Sequence, residues 1–290
     1  MTTTERPPVE ESRAAGVALM LGSALANQAG AATGALAFPV VGPAGVVAVR
    51  QWVAGALLLA VGRPRLRSFT ARQWRPVLAL AAVFGTMNLT LYTAIDRIGL
   101  GLAVTLEFLG PLAVALAGSR RKPDLACALA AAGAVVVLAR PRPTTDYAGI
   151  GLALLAAACW AGYILLNRTV GRRLPGVQGT AAAACASGLA YIPIGVLAFA
   201  HHPPTTAALG QALAAGVLSS AVPLLVDLLA LRRVPAAFFG IFMSVNPVLA
   251  ALVGLVVLHQ HLDPLAWAAI AVIVAANAAV AGRRHRPQGG

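Results

Sequence analysis

The sequence predicts an all-α polytopic membrane protein with ten transmembrane helices, arranged as two inverted repeats of five helices each. Its composition, its apolar runs and an internal similarity support this prediction. Hydrophobic residues make up 59% of the 290 residues and charged residues only 11%, whereas water-soluble domains carry about 25% charged residues. A chain with so little charge cannot cover a water-exposed surface, so we expect the lipid bilayer to surround it.

Ten apolar runs are of about the length that crosses a bilayer, which is about 20 residues per helix. The connectors between them are short and often contain Pro or Gly, and none is long enough to form a separate soluble domain. The fifth run is short. The predicted spans are 16–36, 43–62, 75–95, 100–118, 124–139, 147–167, 178–200, 207–230, 236–258 and 264–282.

The basic residues predict the orientation, because cytoplasmic connectors carry an excess of Lys and Arg. With the N-terminus in the cytoplasm, 18 of the 22 basic residues lie on the cytoplasmic side. The other side holds only Arg97, Arg140 and Arg142, and Arg50 lies within a span. We therefore expect cytoplasmic tails at 1–15 and 283–290. The net charge of +13 is spread over short connectors without a basic, aromatic-rich patch, so no nucleic-acid partner is predicted.

An offset of 136 residues aligns two parts of the chain that would cross the membrane in opposite directions. Inverted repeats of this kind are typical of secondary transporters, whose substrate site lies near the midplane between the halves. The predicted repeats are 16–139 and 147–282, and the alternative is a chance similarity between alanine-rich helices. The aligned pairs include Ala94 with Ala230, Arg97 with Arg233, Pro111 with Pro247, and Ala115 with Ala251.

Three charged residues lie within the predicted spans, namely Arg50, Glu107 and Asp227. A charge inside a bilayer is costly and by default indicates a functional site. Arg50 and Glu107 both lie about 12 Å from the outer end of their helices, at 1.5 Å per residue. They can therefore share one layer and form a pair. Asp227 lies nearer the cytoplasmic end of its span, just after Pro223.

Each charged residue has two interpretations. Glu107 either exchanges a proton or binds a substrate ammonium group, since low dielectric favours its neutral form, or it forms a static ion pair with Arg50. Arg50 either holds a substrate carboxylate as a two-pronged donor or only neutralises Glu107. Asp227 is a second candidate for proton coupling, but at the interface it can also simply reach water or meet Arg232.

Prolines interrupt several spans. Gly110-Pro111 and Asn246-Pro247 occupy corresponding helices, and Pro223 lies in the eighth span. Proline removes a backbone donor and frees a carbonyl, which gives either a hinge facing the cavity or a kink satisfied by neighbouring helices. We expect hinges at Gly110, Pro111, Pro223 and Pro247.

Neutral polar residues at membrane depth complete the candidate binding site. Amides and aromatic rings suit a cavity for a small polar molecule. The candidates for substrate binding are Arg50, Asn88, Tyr92, Glu107, Trp160, Tyr163 and Asn246, and Asn27 and Gln28 are also polar at this depth.

No enzymatic or cofactor chemistry is predicted. His201-His202 and His259-x-His261 lack a carboxylate or cysteine partner beyond Asp263, so we expect no metal site and no other cofactor. No serine nucleophile, phosphate loop or zinc motif occurs. The three cysteines lie in apolar runs and indicate no disulfide framework.

The run NLTLYTAIDRIGLGLAVTLEFLGPLAVALAGSRRKPD, residues 88–124, resembles the signature region of the drug/metabolite transporter superfamily in its EamA branch. The threonine/homoserine exporter type is the most similar, and the runs 160–171 and 222–258 support the resemblance. It implies ten helices in two inverted repeats, an inner-membrane location and proton-driven export of small amino acids or related metabolites. It also implies a central cavity that includes Asn88, Tyr92, Glu107, Trp160 and Tyr163.

The second repeat departs from the family's pattern. Where the family commonly has a glutamate before the proline of the ninth helix, this chain has Asn246, and where a Leu-Gly-Glu run is common it has Leu258-His259-Gln260. Fewer acidic residues in this half leave both substrate and proton pathway open. Other cargoes (a drug, a nucleotide precursor, a dipeptide) and a non-transporting scaffold remain alternatives, and the oligomeric state is open.

Overall fold

The computed structural model is all-helical, as the sequence predicts. It describes residues 9–117, 122–138, 145–175, 177–223 and 243–284. The described residues form eleven α-helices, with a 3₁₀ turn at Leu66–Ser68 and a π turn at Val217–Ala221. The helices are α1 (Val9–Ala35), α2 (Phe38–Gly62), α3 (Ala71–Ile98), α4 (Leu100–Glu107), α5 (Leu109–Leu116), α6 (Lys122–Leu138), α7 (Tyr147–Gly171), α8 (Gln178–His201), α9 (Thr206–Gly216), α10 (Asn246–Leu258) and α11 (Pro264–Arg284).

Helices occur at all ten predicted spans. The described residues form eleven helices rather than ten because the fourth span is divided into α4 and α5. By length and composition α2, α3, α7 and α8 are each long and apolar enough to cross a bilayer, and shorter apolar helices accompany them. The main differences are at the starts of the first two helices. α1 begins at Val9, and α2 begins at Phe38, with a bend at Gly42, whose φ of 67° favours glycine.

The sequence predicts a fourth span over 100–118 that is interrupted near Gly110-Pro111, and the structure divides it at Phe108. Pro111 explains the position of the break. Its ring nitrogen cannot donate to the carbonyl of Glu107 four residues earlier, and its ring crowds that carbonyl. The break therefore falls one turn before Pro111, and Glu107 becomes the last residue of α4. The role of Gly110 and Pro111 as a hinge stays a prediction.

The ninth span is also interrupted. α10 begins at Asn246, and Pro247 follows within its first turn, where a missing N–H group is tolerated. In the eighth span, the N–H of Val222 donates to the carbonyl of Val217 in the π turn just before Pro223. Residues 236–242, Asp227 and the rest of the eighth span after Pro223 lie outside the described residues.

Gln260 joins the end of α10 to the start of α4. Its Oε1 accepts a hydrogen bond of 2.8 Å from the backbone N–H of Leu100, which is otherwise one of the unpaired donors at a helix start. Gly99, the residue before Leu100, has a φ of 84°. A methyl group added to Gly99 would lie 3.0 Å from Oε1 of Gln260. The side-chain amide of Gln260 thus joins α4 to the end of α10 through two residues that are 160 positions apart in sequence.

An ion pair joins the end of α3 to the start of α7. Arg97 Nε lies 2.9 Å from Asp146 Oδ2, and Asp146 Oδ1 accepts a hydrogen bond of 2.8 Å from the N–H of Gly149 at the start of α7. The hydrogen bond from Gly149, together with Arg97, lowers the pKa of Asp146. Asp146 is thus both a helix cap and an ion-pair partner.

Gly110 is required by packing between α5 and α7. A methyl group added to it would collide with the carbonyl oxygen of Ala157 and lie 3.2 Å from Cβ of Trp160. The sequence suggests only a hinge at this position. The structure shows a close approach of two helix backbones, of the kind that small residues allow in membrane proteins.

We predict that Gly110→Ala lowers the free energy of unfolding by about 1–3 kcal/mol, the usual cost of overpacking. Gly151→Ala in α7 is the matched control, because a methyl group added there meets no atom within 4 Å. Alanine is the better helix former, so we expect this control to be neutral or stabilising. Thermal unfolding of the two purified variants in detergent measures the difference, and equal midpoints would contradict the prediction.

Candidate functional site

The described helices line a cavity of about 350 Å³. This volume is near the lower end of the range of about 300–1,000 Å³ for small-molecule sites. Every residue predicted to bind substrate lines this cavity, together with Asn27 and Gln28. The predicted residues that meet here are Arg50, Asn88, Tyr92, Glu107, Trp160, Tyr163 and Asn246.

Arg50 is held on two sides. Its Nη1 donates a hydrogen bond of 3.0 Å to Oδ1 of Asn88, whose own Nδ2 donates to the carbonyl of Phe84 at 2.9 Å. The Arg50 Cζ atom lies 4.4 Å from the centre of the Tyr92 ring, in a cation–π contact. Its Nε is buried and has no hydrogen-bond partner among the described residues. The guanidinium is therefore oriented but keeps donor capacity.

Glu107 lies at the end of α4 and is 6% exposed. It lines the same cavity as Arg50, but within the described residues its carboxylate does not lie within the 4.0 Å of the Arg50 guanidinium that an ion pair requires. The static Arg50–Glu107 pair that the sequence allows is thus not formed. Similar depth places two residues in one layer but does not fix their direction around the helix axes, and Arg50 is turned towards Asn88.

Aromatic rings form the apolar part of the wall. The rings of Phe108 and Trp160 lie edge to face, with centroids 4.8 Å apart. Phe84 and Tyr163 lie 5.9 Å apart on another part of the wall. The edge-to-face contact fixes the rings of Phe108 and Trp160 relative to each other, so the wall has a defined shape between α7 and the break that precedes α5.

Gln28 and Asn246 form a buried amide pair at the wall formed by α1 and α10. Nε2 of Gln28 donates a hydrogen bond of 3.1 Å to Oδ1 of Asn246, and Nδ2 of Asn246 donates to the carbonyl of Met243 at 2.9 Å. Each residue is 2% exposed. Sequence reasoning singled out Asn246 and noted Gln28 only as a polar residue at depth, because no local pattern links positions 218 residues apart.

Sequence reasoning missed Ser219 and Ser220, which also line the cavity. The π turn brings Ser219 against α1, where its Oγ donates a hydrogen bond of 2.9 Å to the carbonyl of Asn27. Gly30 is a glycine for the same reason, since an added methyl group would collide with Ser219 Oγ. The available signal was a pair of serines in an apolar span shortly before a proline.

A bundle of apolar helices around a cavity of small-molecule size, with charged and amide groups in a largely apolar wall, is the arrangement expected of a multi-pass membrane transporter. No group of three metal-ligating side chains occurs among the residues described. The chain belongs to the EamA-like transporter family, whose sequence model matches residues 147–281. This confirms the resemblance that the sequence indicates.

The relatives support the same assignment over nearly the whole chain. The threonine/homoserine exporter RhtA of Escherichia coli (strain K12) is 35% identical over 264 residues, covering 90% of this chain and 89% of that protein. RhtA of Salmonella typhimurium (strain LT2) is 36% identical over 253 residues, covering 86% and 85%. A protein of known crystal structure shares the fold, with a TM-score of 0.59 at 21% identity, covering 95% of this chain and 99% of its own.

We predict that Arg50 and Asn88 are coupled energetically. In a double-mutant cycle with Arg50→Met and Asn88→Leu, we expect a coupling of about 1.5–3 kcal/mol, the range for a hydrogen bond to a charged group. The measurement is the free energy of unfolding, in detergent micelles, of the wild type, the two single variants and the double variant. The cycle of Arg50→Met with Glu107→Gln is the comparison, and a larger coupling there would mean that Arg50 pairs with Glu107 instead.

Proposed function

We propose that the protein is an inner-membrane secondary transporter that exports small amino acids, threonine and homoserine or related metabolites, by proton-coupled alternating access. One observation carries the proposal. A guanidinium and a carboxylate face one small cavity without pairing with each other. The cavity therefore offers a separate partner to each charge of a zwitterion. The names of the relatives support the same cargo.

Arg50 binds the carboxylate of the substrate. Its planar guanidinium matches a carboxylate with two parallel hydrogen bonds, and Asn88 and Tyr92 hold it in one orientation. Side chains that are already ordered lose little conformational entropy when the substrate binds. Asn88 thus acts chiefly by positioning Arg50.

Glu107 binds the substrate ammonium group and carries the coupling proton. When Glu107 is ionised, the cavity offers one cation and one carboxylate. Arg50 then pairs with the carboxylate of the zwitterion, and Glu107 pairs with its ammonium group. When Glu107 is protonated, it loses its attraction for the ammonium group while Arg50 stays charged. Proton and substrate then compete for one carboxylate, and this competition couples proton entry to export.

Alternating access uses the interrupted helices. Glu107 ends α4 just before the break at Phe108, and Asn246 begins α10. Movement at these breaks, with Pro111, Pro223 and Pro247 nearby, changes which side of the membrane reaches the cavity. The excess of basic residues on one side supports cytoplasmic N- and C-termini. In the proposed export, the substrate enters the cavity from the cytoplasm.

We predict that Glu107→Gln abolishes proton-coupled export, because the amide can neither ionise nor release a proton. Export of labelled threonine, homoserine, other amino acids and a cationic dye from expressing cells, at several external pH values, is the measurement. Asp96→Asn is the matched control, since it makes the same change at an exposed carboxylate that does not line the cavity. We expect the control to export like the wild type.

The outcomes separate the alternatives. Full transport with unchanged pH dependence in Glu107→Gln would exclude the coupling role. Efflux of the dye alone would keep the transporter and change its cargo to a drug-like cation, for which Trp160 and Tyr163 provide aromatic surface. Absence of efflux from an inserted and folded wild-type protein would overturn the proposed cargo.

A further inference from the structure

We infer that Gln28 is a specificity-determining residue, which accepts a hydrogen bond from the side-chain hydroxyl group of the transported amino acid. The inference rests on the proposed function. It assigns to the amide pair of α1 and α10 the recognition of the part of the substrate that Arg50 and Glu107 do not bind.

The hydrogen bonds determine which atom of Gln28 is left for a ligand. The carbonyl of Met243 can only accept, so the Asn246 group that faces it at 2.9 Å must be Nδ2. Oδ1 of Asn246 then faces Gln28, and only Nε2 of Gln28 can donate to it, at 3.1 Å. Oε1 of Gln28 is therefore the remaining atom, and no hydrogen bond reaches it from the described residues.

The position of Gln28 in the cavity wall makes this oxygen selective. Gln28 is 2% exposed and lines the cavity, and its Oε1 is not one of the fully buried polar atoms without a partner, so a molecule in the cavity can reach it. A ligand that fills the cavity displaces water from this acceptor, and only a ligand with a donor group replaces the lost hydrogen bond. A site built to hydrogen-bond a substrate hydroxyl rejects the analogue that lacks it more strongly than an apolar pocket rejects an extra hydroxyl.

The oxygen fits a neutral donor. The charged groups of the zwitterion already have Arg50 and Glu107 as partners of opposite charge, whereas Gln28 and Asn246 are both neutral. Asn246 holds the Gln28 amide in position and has both ends of its own amide bonded. Asn246 is thus a positioning residue in this step, and Gln28 touches the substrate.

Binding of threonine and valine to the purified full-length protein tests the inference, because valine replaces the hydroxyl of threonine with a methyl group of similar size. We expect the wild type to bind threonine about tenfold more tightly, the effect of about one net hydrogen bond. In Gln28→Met, which keeps the side-chain length without the amide, the ratio should fall to within about twofold. Gln211→Met, a glutamine of α9 that does not line the cavity, should keep the wild-type ratio.

A ratio of affinities is insensitive to the amount of folded protein, so a general structural defect does not imitate the expected result. Should Gln28→Met not fold, O-methylthreonine provides the test on the wild type, since it keeps the oxygen but cannot donate. We expect it to bind as weakly as valine. Equal binding of threonine and O-methylthreonine would overturn the inference.

The proposed function and this inference fail in different ways. Wild-type protein that binds threonine and valine equally overturns the role of Gln28 and leaves amino-acid transport intact. Preference for threonine that persists in Gln28→Met also overturns it. Wild-type protein that binds no zwitterionic amino acid overturns the proposed function, and the inference with it.

Discussion

A guanidinium inside a bundle of apolar helices must find hydrogen-bond partners from the bundle itself, because a buried charge without partners is too costly to keep. The arrangement around Arg50 meets this need. α3 supplies an amide acceptor at Asn88, fixed by the backbone at Phe84, and the face of Tyr92 one turn further along. One helix thus holds the charge, and Glu107 on α4 remains without an ion-pair partner within the described residues.

The interrupted helices place polar groups at the cavity. A bilayer tolerates irregular backbone only where it is buried in protein or lines a cavity. Glu107 is the last residue of α4 and Asn246 the first of α10, so both breaks lie at the wall of the cavity. The π turn at Val217–Ala221 serves the same wall, since it carries Ser219 and Ser220. Proline near each position explains why the helix ladder is broken there.

Much of the fold and of the site followed from the sequence, for identifiable reasons. Apolar runs and prolines predict helices and breaks because their effects are local, and charges at membrane depth are rare enough to mark a cavity. The partners were not predictable. Arg50 meets Asn88, and Gln28 meets Asn246 across 218 positions, because rotation about the helix axes and the packing between helices decide such contacts. Gly110 shows the same limit, since only its distance to Ala157 reveals the packing role.

The amide pair bears directly on the coupling mechanism. Asn246 is an amide that cannot titrate, and it is bonded to a second amide, Gln28, that cannot titrate either. Of the described residues that line the cavity, Glu107 alone is a carboxylic acid. In the proposed exchange, in which the proton enters as the substrate leaves, Glu107 is therefore the carboxylate available to the proton in the described part of the cavity. The wall of α1 and α10 is then free to recognise the shape and hydrogen bonding of the cargo rather than its charge.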